Sequence, residues 1–243
     1  MSEARVVHAD DVERRNVDGV AIRVLISPDS GSEQLLQRTV EIRPRTTLQL
    51  GQGNADDVLY VVEGRGVIRS SVGDVECAVA TGTALLVQDH APVTLESTGQ
   101  QRLVAASVLS PPPFEGIWYS FARLVQPVVL HEDDQESLSA GEDRTFKLLI
   151  GPEHGARNIT QFVGFIERSK ASPHTHVYEE AIYILEGEGL VHVGEDRHEP
   201  IRPGTSIFLP PGTPHCLENR SEETLKLLGV FSPPGSPAAK REE

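Results

Sequence analysis

Cysteine is scarce in this chain: Cys77 and Cys216 are the only two among 243 residues, and two thiols cannot build a disulfide framework. No apolar run approaches the roughly 18 residues that a membrane span requires. The opening MSEARVVHADDVERR is charged and lacks the apolar stretch of a secretory signal. These absences lead to the expectation of a soluble chain in a reducing cytoplasm. Clustered positive charge is missing as well. Lys and Arg number 22 against 36 Asp and Glu, and the formal net charge is −14, so the attraction for phosphate backbones is absent and nucleic acid is not an expected partner. The acidity reads as a solvated surface. What is present, 38% hydrophobic and 24% charged residues, is a globular composition long enough for one large domain or two of about 120 residues.

The halves of the chain repeat each other at a shift of 122 to 124 residues. His8, Asp10 and Asp11 fall on His131, Asp133 and Asp134, and AIRVLISPDSG at 21–31 falls on TFKLLIGPEHG at 145–155. DDVLYVVEGRGV at 56–67 matches EEAIYILEGEGL at 179–190, TGTALLV at 81–87 matches PGTSIFL at 203–209, and VLSPPP at 108–113 matches VFSPPG at 230–235. The order is kept throughout, which predicts a duplicated domain: 1–112 and 127–235, a linker at 113–126 and a tail at 236–243. Within each half LYVVEG, IYILEG, ALLV and SIFL are short, β-branched and aliphatic, bounded by Gly, Pro and Asp. Many such segments predict an all-β sandwich or barrel. Ile117, Phe121 and Leu124 recur at helical spacing, so the linker is expected to form a short helix.

The stretch PHTHVYEEAIYILEGEG at 173–189 carries the candidate chemistry. Read as a strand, it puts His174 and His176 on one face about 6.5 Å apart, with Glu180 on that face and Glu179 on the other. His215, after a Pro-Pro-Gly turn, is placed to return beside them. Three imidazoles and a carboxylate form a donor set for one divalent first-row metal, Fe, Mn, Ni, Cu or Zn, with positions left for water or substrate. The same parity turns Ile182 and Ile184 inward and Tyr183 outward. Tyr178, Gln161, His192 and Phe208 are expected to pack or flank the barrel, and Cys216 to be a buried inert thiol.

On these residues the sequence resembles the cupin superfamily. Its first motif, G-x5-H-x-H-x3,4-E-x6-G, is met by His174, His176, Glu180 and Gly187, with Arg168 where the leading glycine usually stands. Its second, G-x5-P-x-G-x2-H-x3-N, is met by Gly204, Pro210, Gly212, His215 and Asn219. The resemblance implies a small antiparallel jelly-roll barrel holding a metal on His174, His176, Glu180 and His215, and with the repeat it implies a bicupin, two such barrels in tandem. Barrels of this family often pair edge to edge, which implies either a homodimer or pairing of the halves within one chain.

The halves differ at the site. Aligned on Gly64 and Gly187, the two histidines are replaced by Gly51 and Gly53, Glu180 by Asp57 and His215 by Val93. His90 stands alone nearby, so one metal per chain is expected. The resemblance implies a small-molecule substrate, with a quercetinase-like dioxygenase acting on an enolic, phenolic or diketone compound as the leading reading. The alternatives are a metal-dependent isomerase or lyase of a sugar acid or keto acid, and a non-catalytic binding barrel. No general acid or base outside the ligand set can be singled out.

Overall fold

The computed structural model describes residues 3–51, 55–88, 93–113, 125–141 and 143–238. The linker expected to be helical lies, at 114–124, outside the described residues, as do His90 and Gly53. Among the described residues no helix is long and apolar enough to cross a membrane. The architecture is all-β: two jelly-roll barrels, each formed by a seven-stranded and a four-stranded antiparallel sheet.

The barrels lock together by a reciprocal exchange of strands. Arg5–His8, from the first half, pairs with Thr205–Leu209 at the edge of the second barrel. Val128–His131, from the second half, pairs with Thr83–Val87 of the first. Each exchanged strand ends in the repeated His-x-Asp-Asp motif, whose role is structural. His8 Nδ1 accepts the Asp10 N–H at 3.2 Å while Nε2 meets the Pro203 carbonyl at 2.9 Å. His131 does the same with Asp133 and Thr81. Gly204 and Gly82, both at φ +91°, lie under these rings, and a Cβ on Gly204 would stand 3.0 Å from His8 Nε2. A side chain there is opposed by both the left-handed backbone and the packed imidazole.

The strand Glu179–Glu186 is buried on both faces, which is why it lacks polar-apolar alternation. Ile182 and Ile184 enter the core of the second barrel, with Phe146, Val191, Leu217, Leu227 and Phe231. Ala181, Tyr183 and Leu185 turn the other way, into a shared core between the two seven-stranded sheets that includes Tyr60, Leu86, Val108 and Phe208. Tyr183 thus faces outward from its own barrel but not solvent, since it is 6% exposed.

Two carboxylates clamp the interface in mirror fashion. Glu179 accepts hydrogen bonds from Ser32 Oγ (2.7 Å) and from the backbone N–H groups of Glu33 (2.7 Å) and Gln34 (3.0 Å). Asp56 accepts the N–H groups of Arg157 and Asn158, both at 2.7 Å, and a bond from Gln88 Nε2. The donors follow the two tight turns Pro28–Ser30 and Pro152–His154, so the repeated SPDSG and GPEHG segments present backbone donors to the opposite barrel. Gln37 pairs with Ser206 across the same interface. Its counterpart Gln161 is fully buried with neither amide atom hydrogen-bonded, because the position equivalent to Ser206 is Ala84.

Candidate metal centre

His174 and His176 lie in a connecting segment, not in a strand as the sequence reading had them; the regular ladder starts at Glu179. Pro173 offers no N–H to a ladder, and the segment is fixed instead by single contacts. His174 and His215 form an isolated antiparallel bridge, with N–H···O distances of 3.0 and 2.9 Å, and the Gly212 N–H donates to the His176 carbonyl at 2.8 Å. Glu180, the second residue of the strand, points into the barrel by the pleat that aims Ile182 there.

These local constraints bring the four predicted residues together. The ring centroids of His174 and His215 are 4.4 Å apart, those of His174 and His176 4.9 Å, and those of His176 and His215 5.2 Å. Ligand-type nitrogens of the three histidines all fall within 4.8 Å of one another. Nε2 of His215 and of His176 stand 3.3 and 3.6 Å from Glu180 Oε2. Ligands bound at about 2.1 Å to one ion are roughly 3–4 Å apart; the Glu180 contacts fall in that range, and a small inward shift of the imidazoles would complete a shared shell.

Orientation supports the same conclusion. His215 Nδ1 lies 2.9 Å from the Thr213 carbonyl and His174 Nδ1 3.2 Å from that of Ser172. A carbonyl only accepts, so each Nδ1 carries its proton there and leaves the Nε2 lone pair free for a metal. Burial, followed by the nearby charge of His215, pushes His174 down to about 4, which keeps its imidazole neutral. On His215 burial acts against the charged form, but the Glu180 carboxylate outweighs it and raises the ring. Burial alone would raise Glu180; the surrounding imidazoles, His215 foremost, hold it below the usual carboxylate range.

Glu180 Oε2 is buried, and apart from His215 Nε2 at 3.3 Å, which is not in sound hydrogen-bond geometry, no donor reaches it. An anionic oxygen withdrawn from water without a donor is costly, and a cation among the three Nε2 atoms satisfies it. The residues therefore fit a divalent metal with an N3O donor set. Among the described residues, the three histidines are the one such cluster. In the first barrel Val93 is fully buried in the core, and Asp57 pairs with Arg38 (3.2 Å) and Ser107 (2.8 Å). A guanidinium there neutralises the carboxylate that replaces Glu180.

The centre opens on a cavity of about 100 Å³ lined by Phe146, Phe162, Ile182, Leu217, Leu227 and Phe231, with Arg144 also on the wall. Tyr178 stacks on His176 at 4.8 Å and 13°; burial and then the Glu180 charge push its hydroxyl up to about 12, so it stays a neutral phenol. The C-terminal segment closes over this region. Pro237 lines the cavity, and Gly235 lies so close to Tyr178 that a Cβ would stand 2.5 Å from the ring. The other residues singled out from the sequence lie elsewhere: Gln161 and Phe208 at the inter-barrel interface, and His192 on the four-stranded sheet, 2.7 Å from Glu218. Cys216 is buried beside His215 on the same strand.

Sequence reasoning missed Arg144 and Pro237. The signal for Arg144 was strand parity, since Arg144, Phe146 and Leu148 share a face of Arg144–Ile150. No local pattern announces Pro237.

Residues 162–231 match the cupin domain family. No curated protein sequence matches the chain. Among solved structures, the fold is similar to that of the putative glyoxylate induced protein from Pseudomonas aeruginosa (18% identity, 100% of this chain and 92% of that one, TM-score 0.79). It is similar also to protein Ylba from E. coli (16% identity, 95% and 91%, TM-score 0.75). A single-substitution variant of the oxalate decarboxylase of B. subtilis is a third (13% identity, 95% and 78%, TM-score 0.77). At these identities the likeness is one of fold.

Proposed function

The chain belongs to the cupin superfamily as a two-barrel bicupin, and from that premise we propose that its second barrel is a metal-dependent enzyme acting on a small molecule that ligates the metal through oxygen. His174, His176, Glu180 and His215 would hold the ion, which when bound supplies Lewis-acid polarisation and, for a redox-active metal, electron transfer. The protein residues orient and exclude. Phe162, Phe231 and Ile182 keep water from the cavity, and Tyr178 braces His176 by stacking. The carrying observation is the orphaned Glu180 oxygen facing three imidazoles at one end of an apolar cavity.

Cavity size selects among the chemistries. About 100 Å³ is below the roughly 300–1,000 Å³ of pockets that take drug-sized ligands, which favours compounds smaller than a polyphenol such as quercetin. Support therefore moves from the quercetinase-like reading to reactions on compounds of a few heavy atoms, whether by lyase or isomerase chemistry or by oxygenation of a small diketone. The test is turnover by the full-length chain reconstituted with Mn(II), Fe(II), Co(II), Ni(II), Cu(II) or Zn(II), with and without oxygen, on oxalate, pyruvate, pentane-2,4-dione and quercetin. Conversion of at least one small compound and none of quercetin is expected. Quercetin turnover, or less than one metal ion per chain in every reconstitution, overturns the proposal.

A further inference from the structure

Besides the candidate metal ligands, the two barrels differ at several inner-face positions, among them Phe162, whose counterpart is Arg38, and Arg144. The strand Arg144–Ile150 pairs with Thr160–Ile166 so that Arg144 stands opposite Ile166. In the first barrel the equivalent pair is Val20 opposite Ile42. Val20 is buried in an apolar core with Ile42 and Val40. The barrel that keeps the metal ligands thus carries arginine where its duplicate carries valine.

The pleat aims Arg144 inward with Phe146, a member of the barrel core, and Arg144 lines the same cavity as His174, His176, Glu180 and His215. Its guanidinium is held on the wall by a 2.8 Å bond from Nη2 to the Leu217 carbonyl. Leu217 lies two residues, about 6.5 Å, beyond His215 on the strand His215–Asn219. Arg144 brings a fixed positive charge to a wall otherwise built of Phe146, Ile166, Leu217 and Leu227, and a planar fork of donors suits a carboxylate above other ligands. The first barrel shows such a pairing made within the protein itself, where Arg38 binds Asp57 and Ser107.

We propose that Arg144 is a specificity-determining residue that binds a carboxylate of the substrate while the substrate's oxygen donor occupies the metal at the other end of the cavity. This rests on the metal-dependent reading above and narrows it to small carboxylic acids, keto acids or dicarboxylates, against neutral diketones.

The full-length chain loaded with Co(II), whose visible spectrum reports ligands on the ion, is titrated with oxalate, pyruvate and butane-2,3-dione, a neutral relative of pyruvate. The wild type is expected to bind both acids and to prefer pyruvate to the dione. Arg144→Gln, at unchanged cobalt content, should bind the acids roughly 10- to 100-fold more weakly and the dione as before. Arg144→Lys, which keeps the charge and loses the fork, should fall between, and it carries the test if the Gln variant fails to fold. Equal effects on acids and dione, no effect, or a wild type that takes neither acid overturns the proposal. If the wild type holds less than one cobalt per chain, the metal reading fails by itself. Arg144 is then judged on the metal-free chain, where oxalate should raise the melting temperature of wild type and not of Arg144→Gln; equal shifts overturn it.

Discussion

Replacing Glu179 with alanine separates two neighbouring carboxylates that the sequence writes side by side. Glu179 is 4% exposed and receives three hydrogen bonds of 2.7, 2.7 and 3.0 Å from residues 32–34 of the other barrel. Bonds to a charged acceptor contribute about 1.5–3 kcal/mol each, and unpaired buried donors cost about 1–3 kcal/mol. The two backbone donors are only part-buried, so water recovers some of the loss and the low end applies, about 3 kcal/mol in total. With a urea slope near 3 kcal/mol/M, the unfolding midpoint should fall by about 1 M. Metal content should not change, because Glu179 faces the interface while Glu180 faces the cavity. The assay is urea unfolding followed by fluorescence, paired with elemental analysis of the same preparation. A midpoint within about 0.2 M of wild type, or loss of metal at an unchanged midpoint, would refute the clamp. Asp56→Ala, at the mirror position with a fully buried carboxylate, should cost at least as much.

His174→Ala, His176→Ala and His215→Ala are each expected to remove stoichiometric metal, read by elemental analysis; one metal per chain in any of them argues against the shared centre. Ala84→Ser should give Gln161 the partner that Ser206 gives Gln37 and raise stability by about 1 kcal/mol, whereas Ser206→Ala should lower it by a similar amount. A thermal melt in which Ala84→Ser lowers stability would count against the mirrored interface. Removing residues 1–9 strips the strand Arg5–His8 from the second barrel, so amide hydrogen exchange should rise at Thr205–Leu209 and stay unchanged at Thr83–Val87. The opposite pattern would contradict the strand exchange.

Much of the site is legible because its parts are local. His174, His176 and Glu180 are spaced within seven residues, and the turn before His215 is written in Pro210, Pro211 and Gly212. The inward direction of Glu180 follows from the period of two in Glu179–Glu186, although before it His174 is held by a single bridge and His176 by the Gly212 N–H, not by the ladder assumed for them. Arg144 carried the same parity signal with nothing beside it to suggest a ligand. Gln161 illustrates the opposite limit: only its position across from Ala84, far along the chain, explains why it is buried without a partner.

The sequence by itself determined the duplication, the all-β character, the replacement of the candidate ligands in the first half and which four residues converge in the second, since each is a matter of type and spacing along a short segment. Tertiary structure alone decided that the first strand of each half completes the other barrel and that Glu179 and Asp56 serve the interface. It also decided that Arg144 and Pro237 share a cavity with the histidines. Those facts depend on contacts between segments far apart in the chain, where pairing across sheets, and not local periodicity, chooses the neighbours.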